Sequence, residues 1–316
     1  MNASCGLRDF SLEPASEDAS FRSYLRLSLP DGSSFIVMDA PPDKEDCAPF
    51  VNVAGRLRGA GVHAPAVYQQ DLQQGFLLLE DLGSCSYLEA LNEDSVERLY
   101  GDALAALMSM QACIDPSDLP EYDETLLLQE MSLFLDWLLL KHLGLALDQE
   151  EQQMLETAFA ALAASALEQP QVFVHRDYHS RNLMAQVEHA PGVLDFQDAV
   201  RGPVTYDAVS LLRDCYVSWP SLQVDEWAWG FFQLAVQSGV MRDEHEDSFL
   251  HWFDLMGAQR HLKAAGIFAR LHHRDGKSGY LGDIPRTLGY IVEVAQRREQ
   301  LAPLADFISR RVLPAL

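Results

Sequence analysis

The chain has 316 residues, 48% of them apolar and 22% charged, which excludes a disordered or fibrous protein and allows two domains or one large one. Against 23 Lys and Arg stand 47 Asp and Glu, a formal net charge of -24. That excess excludes binding to nucleic-acid backbones and to anionic membrane surfaces, so a phosphate handled here must be met by a metal ion or by a few local cations.

In chain order, Phe21 to Leu29 alternates apolar and polar residues as a half-buried strand does, Pro30-Asp31-Gly32 is turn chemistry, and Ser34 to Met38 completes a hairpin. A helix is expected near residues 46–59, stopped by Gly59 and Gly61, followed by strands at Val67-Tyr68 and Gly75 to Leu79. After residue 84 the texture becomes helical. Ser95 to Gln111 carries Val96, Leu99, Tyr100, Ala103, Leu104 and Leu107 on one stripe, and helices over Leu126 to Leu143 and Gln149 to Leu167 follow. Two short apolar segments, Gln171 to Val174 and Gly192 to Phe196, interrupt them, and helices resume from Tyr206 to a last one at Ala302 to Leu313. This is an α+β chain in two lobes, expected at residues 1–83 and 84–316, with the cleft between lobes as the favoured ligand site.

No apolar run reaches about 18 residues, and no basic segment precedes an apolar one at the N-terminus. Cys5, Cys47, Cys85, Cys113 and Cys215 are scattered without a CxxC pair. These features lead us to expect a cytoplasmic protein with free thiols and no obligate protein partner.

The stretch that carries chemistry is His175-Arg176-Asp177-Tyr178-His179-Ser180-Arg181-Asn182, a His-x-Asp-x4-Asn pattern behind the apolar strand Val172-Phe173-Val174, with Asp195 ending a second short apolar run. Asp177 can accept a substrate hydroxyl's proton, and Asn182 and Asp195 offer the hard oxygens that Mg²⁺ prefers, the parts needed for phosphoryl transfer. The plainer alternative is that these residues only cap turns. A zinc site of the His-x-Asp-x-His kind at His175, Asp177 and His179 would leave Asn182 and Asp195 without a purpose. Asp207 reads as a helix N-cap, and Leu271-His272-His273-Arg274 as the polar end of a helix.

Val174 to Asn182 resembles the catalytic loop of the aminoglycoside phosphotransferase and choline kinase family. Val193-Leu194-Asp195-Phe196 resembles that family's metal-binding segment, and Gly202-Pro203-Val204-Thr205-Tyr206-Asp207 its continuation. The resemblance implies a two-lobed protein-kinase-like fold, an N-lobe antiparallel sheet with one helix and a largely helical C-lobe, using ATP and Mg²⁺. It implies Asp177 as catalytic base and Asn182 and Asp195 as metal ligands. It also implies a small-molecule acceptor, since Asp195-Phe196-Gln197 stands where protein kinases carry Asp-Phe-Gly. The nucleotide is expected at the hinge, on Glu80 and Leu82, and at the loop holding Ser20, Phe21 and Arg22. The family's third-strand lysine has no counterpart in Phe35 to Asp39.

Ser20 to Tyr24, Ile36 to Pro42 and Val209 to Tyr216 are similar to bacterial kinases that phosphorylate N-acetylmuramate and N-acetylglucosamine at the anomeric C1 hydroxyl in peptidoglycan recycling. That similarity implies a sugar substrate, with His179, Arg181, Arg213 and Asp214 as candidate contacts; Arg213 or Arg181 would meet the lactyl carboxylate. Aminoglycosides are alternative acceptors, because polycations suit an acidic protein. A catalytically silent kinase-fold binding protein is the alternative of another class.

Overall fold

A computed structural model describes residues 9–17, 21–186 and 191–316. They group into two compact units: Met1–Met110 with Arg181–Asp198, and Gln111–Ser180 with Ala199–Leu316. The first unit takes in the chain up to Met110 and the later segment 181–198, beyond the break expected at residue 83.

In the first unit, β1 (Ser11–Glu17), β2 (Ser23–Ser28), β3 (Ser34–Asp39), β4 (Val67–Asp71) and β5 (Phe76–Glu80) form one antiparallel sheet in the order β1-β2-β3-β5-β4. Leu27, Val37 and Leu78 form its buried core, with Phe10, Leu25, Leu29 and Phe35 against them. The β2–β3 hairpin closes as its turn residues dictate: Gly32 takes φ 87° and its N–H donates to the Leu29 carbonyl at 3.0 Å. Strand β1 was not expected. Its alternation is broken by Pro14 and by a register shift between Pro14 and Ser16, which an edge strand tolerates because one side of its ladder needs no donor. Gly75 is obligatory: at φ 77° its Cα lies so near the Ala40 carbonyl that an added Cβ would sit 1.9 Å from that oxygen.

Helix α1 (Ala48–Gly59) buries Phe50, Val53, Ala54 and Leu57, and α2 (Tyr87–Ala90) follows behind a capping box from Ser86 and Glu89. A small hairpin of β7 (Leu183–Met184) and β8 (Gly192–Val193) joins this unit through bridges from Met184 to Ser86 and from Gly192 to His63. A side chain at Gly192 would meet Leu82 Cδ1 at 2.9 Å.

Helix α3 (Val96–Cys113) leads out of the first unit. The second unit holds α4 (Glu124–Leu133), α5 (Gln149–Leu167), α6 (Tyr206–Leu212), α7 (Ser221–Gln237), α8 (Glu246–Asp275), α9 (Ile284–Val294) and α10 (Ala302–Phe307), with the strand pair β6 (Gln171–Val174) and β9 (Val200–Pro203). The helix expected over Leu126 to Leu143 is α4 continued by a wider π-helical segment, Phe134–His142. The 30-residue α8 is the centre of this unit and buries its aromatic residues Phe249, Trp252, Phe253 and Phe268. Its Gly266 comes so close to the α4 end that a Cβ there would lie 2.3 Å from the Leu133 carbonyl carbon. Among the described residues no helix is long and apolar enough to cross a membrane.

Candidate active site

The loop following β6 is clamped by carboxylates from and beyond α6. Asp207, fully buried, accepts the backbone N–H of His175 at 2.6 Å and of Arg176 at 3.0 Å. Asp214, also fully buried, accepts the N–H of Ser180 at 2.9 Å and of Tyr216 at 3.0 Å. Two acceptors thus grip both ends of the loop that carries Asp177. His175 works from within, its Nδ1 accepting the Asp177 N–H at 3.3 Å. Asp207 is therefore not the N-cap its position suggested. Thr205 occupies that position without a side-chain cap bond, and the Asp207 carboxylate turns to the loop.

Arg176 has φ 76°, a left-handed conformation that costs a non-glycine residue about 1–3 kcal/mol. Its guanidinium is paired to Glu130 on α4, which also meets Lys263 Nζ of α8 at 3.1 Å and accepts the Tyr122 hydroxyl. Lys263 donates in turn to the Tyr206 hydroxyl at 2.9 Å. Burial works against the ionised form of Asp177. The positive charge of Lys263, then of His179, His175 and Arg176, outweighs it and holds the Asp177 pKa below the usual aspartate value. This side chain is an ionised carboxylate at neutral pH.

Burial dominates at Asp207 instead. Opposed by the His175 and Arg176 amides and reinforced by the charge of Asp177, it pushes the Asp207 pKa up to about 7. A raised aspartate pKa means that this group's contribution to stability is fully present below its ordinary 3.8 and is lost as pH rises through about 7. Its grip on the loop runs the other way, because only the ionised carboxylate accepts both amides at full strength. Turnover is expected to rise with pH through about 7, and Asp207→Asn to flatten that limb while lowering the plateau. A pH profile of kcat/KM on the two proteins checks this; an unchanged limb in the variant would assign it to another group.

The other chemical residues lie in the first unit. Asn182 Nδ2 donates to Asp195 Oδ2 at 3.3 Å, Gln197 Nε2 donates to Asp195 Oδ1 at 2.8 Å, and the Leu194 N–H donates to the Asn182 carbonyl at 2.9 Å. Asp195 has φ 60°, so two of the strained non-glycine residues are those of the His-Arg-Asp and Asp-Phe-Gln segments. Asn182 thus brings a side-chain amide, with its hard oxygen, beside the Asp195 carboxylate. A hard-oxygen pair of this kind fits Mg²⁺ and would not select a softer ion.

The nucleotide candidates are partly committed to the fold. The Glu80 carboxylate is held by His63 at 3.0 Å, Arg58 at 3.2 Å and the Ala66 N–H at 3.0 Å, and its backbone N–H donates to the Ala66 carbonyl at 2.9 Å. The Leu82 carbonyl accepts from Gln186 Nε2 at 2.5 Å. Phe21 is 61% exposed, with Lys44 Nζ 4.8 Å from its ring centre, and its N–H donates to Glu45. Arg22 pairs with Glu45 at 3.1 Å. Ser20 lies outside the described residues.

Of the substrate candidates, Arg181 is exposed and His179 is half-buried, its ring 5.4 Å from that of Tyr216. Arg213 and Asp214 stand differently from expectation. Arg213 is 4% exposed, bonds Asp254 at 2.7 Å and shares that carboxylate with Arg297 and Arg298. It is an interior ion-pair residue, not a cation offered to a sugar acid. Asp214 spends its carboxylate on the loop. The sequence reading missed Glu130, Lys263 and Glu45. The signal for Glu130 and Lys263 was a charge set within an apolar helix face, beside Met131 and Leu262 respectively.

A model of the Phosphotransferase enzyme family matches residues 11–242. The N-acetylmuramate/N-acetylglucosamine kinase of Pseudomonas aeruginosa is 50% identical over 298 residues, 94% of this chain and 88% of that protein. The protein of the same name from Neisseria meningitidis serogroup B is 42% identical over 301 residues, 94% of this chain and 89% of that one. The fold is similar to that of the choline kinase from Cryptosporidium parvum Iowa II, with a TM-score of 0.64 at 10% identity over 95% of this chain and 94% of that one. The chain belongs to the phosphotransferase enzyme family, and its two-unit, sheet-plus-helix build is the kinase-like fold of that family.

Proposed function

We propose that this protein is an ATP-dependent kinase that phosphorylates the anomeric C1 hydroxyl of N-acetylmuramate and N-acetylglucosamine in the cytoplasm, giving sugar 1-phosphates for return to UDP-sugars. The observation that carries it is the 50% identity over 94% of the chain to a kinase named for these two sugars. The site chemistry supports it. Asp177 takes the proton of the sugar hydroxyl as that oxygen bonds to the γ-phosphorus and the bond to the β-phosphate oxygen breaks, releasing ADP. Asn182 and Asp195 would hold Mg²⁺, which neutralises phosphate charge when bound. Arg22, steadied by Glu45, supplies the cation that lysine-free β3 lacks, and the Leu82 amide meets the adenine edge. Arg181, exposed, is the candidate for the lactyl carboxylate rather than Arg213, which Asp254 engages.

The test is ADP release from ATP and Mg²⁺ with each acceptor, with ³¹P NMR of the product. Release with both amino sugars and loss of the free reducing end are expected. Release with kanamycin-type aminoglycosides alone would reassign the acceptor to the polycations that a net charge of -24 also suits, and none with any acceptor would leave a binding protein. A phosphate on another hydroxyl would overturn the C1 assignment.

A further inference from the structure

The helix end read as merely polar, His272-His273, meets His142 at the end of the π-helical segment. One ring nitrogen from each of the three lies within 4.8 Å of the other two. His142 Nδ1 and His273 Nε2 are 3.1 Å apart, and the His142 ring centre is 5.6 Å from that of His272 and 5.2 Å from that of His273. Two imidazoles bound to one tetrahedral Zn²⁺ at 2.0–2.1 Å have their nitrogens about 3.4 Å apart, so the His142–His273 pair already has nearly that spacing, with a His272 nitrogen within 4.8 Å of both. We propose that His142, His272 and His273 form a binding site for a borderline first-row divalent cation of the Zn²⁺ class, with water in the remaining coordination position.

The surroundings suit an imidazole-only site. His272 Nδ1 is 2.9 Å from Ser278 Oγ, an outer contact of the kind that fixes a ligand ring. The end of α8 is closed by Gly276 at φ 71°, with the Gly276 N–H donating to the His272 carbonyl at 3.2 Å and the Lys277 N–H to the Leu271 carbonyl at 3.0 Å, so His272 and His273 sit on a defined backbone. Desolvation and the neighbouring imidazoles hold His142 and His273 below the usual histidine value, which keeps them neutral and able to bind a metal at physiological pH. Lys141, which also acts on His273, lies over the Trp137 ring at 4.2 Å. Nitrogen ligands select against Mg²⁺, so this site and the oxygen pair of Asn182 and Asp195 call for different ions. The cation would act as a clasp between the π-helical segment, the end of α8 and the turn carrying Ser278.

Equilibrium dialysis of the chelator-stripped full chain against Zn²⁺ tests the site. One equivalent is expected to be retained by the wild type and by Asp195→Ala, and to bind at least tenfold more weakly in His142→Ala and His273→Ala. Co²⁺ in place of Zn²⁺ is expected to give the visible absorption of a tetrahedral site. Zn²⁺ should also protect His142, His272 and His273 of the wild type from diethyl pyrocarbonate, a readout that needs no substitution to fold. Retention by both histidine variants, loss in Asp195→Ala, or unprotected histidines at saturating Zn²⁺ would overturn the proposal.

Discussion

Asp177→Asn is expected to lower kcat by about 10²–10⁴-fold, the usual loss for a general base, while the Kd for ATP stays within a few-fold of the wild type. The substitution keeps the shape and removes the charge. The backbone bonds that set the loop, from Asp207 to His175 and Arg176 and from Asp214 to Ser180, use other residues and persist. The loss therefore reports chemistry rather than collapse. Because the cations around Asp177 hold its pKa low, it is a weak base. Its task is to orient the hydroxyl and receive the proton late, as expected where phosphoryl transfer depends on positioning. Single-turnover kinetics with N-acetylglucosamine, together with a nucleotide titration, separate the two quantities. A variant retaining more than about a tenth of wild-type kcat would remove Asp177 from the role of base, which ordinarily supplies at least 10²-fold.

Much of this was legible in the residues. The spacing of His175, Asp177, Asn182 and Asp195 pointed to a loop between two short apolar strands, and β6 and β8 stand on either side of it; the strand β7 that pairs with β8 was not read. Alternation and turn chemistry placed β2, β3 and β5 within two residues, whereas β4, expected at Val67-Tyr68, runs three residues further. What could not be read was whatever depends on distant residues meeting. Pro14 hid an edge strand whose only local evidence is its pairing with β2. Asp207 read as a cap and Asp214 as a sugar contact, and only their burial and hydrogen bonds show that they anchor a loop more than thirty residues away. Arg213 looked available because its partner, Asp254, is 41 residues later on another helix. Arg176 and Asp195 stand where a glycine would have announced the left-handed backbone, so the strain has no trace in the composition.

Glu130→Ala is expected to destabilise the protein by about 3–5 kcal/mol, the loss seen when one partner of a buried ion pair is removed. Glu130, with its side chain 7% exposed, is the acid shared by Arg176 at 20% and Lys263 at 8%. Without it two cations remain in the interior with the Tyr122 hydroxyl, whose acceptor is gone. The strained Arg176 also loses one of the contacts that hold it, so the defect reaches Asp177, its neighbour in the chain, and kcat should fall with stability. Adding Lys263→Met removes one of the stranded charges and is expected to restore part of the stability. It should not restore kcat, because Lys263 is the largest of the positive charges that keep Asp177 ionised. The signature of the network is this split between the two readouts. Urea unfolding and steady-state kinetics on the single and double variants measure it. If the double variant recovered stability and activity together, Glu130 and Lys263 would be a structural pair with no hold on the catalytic loop.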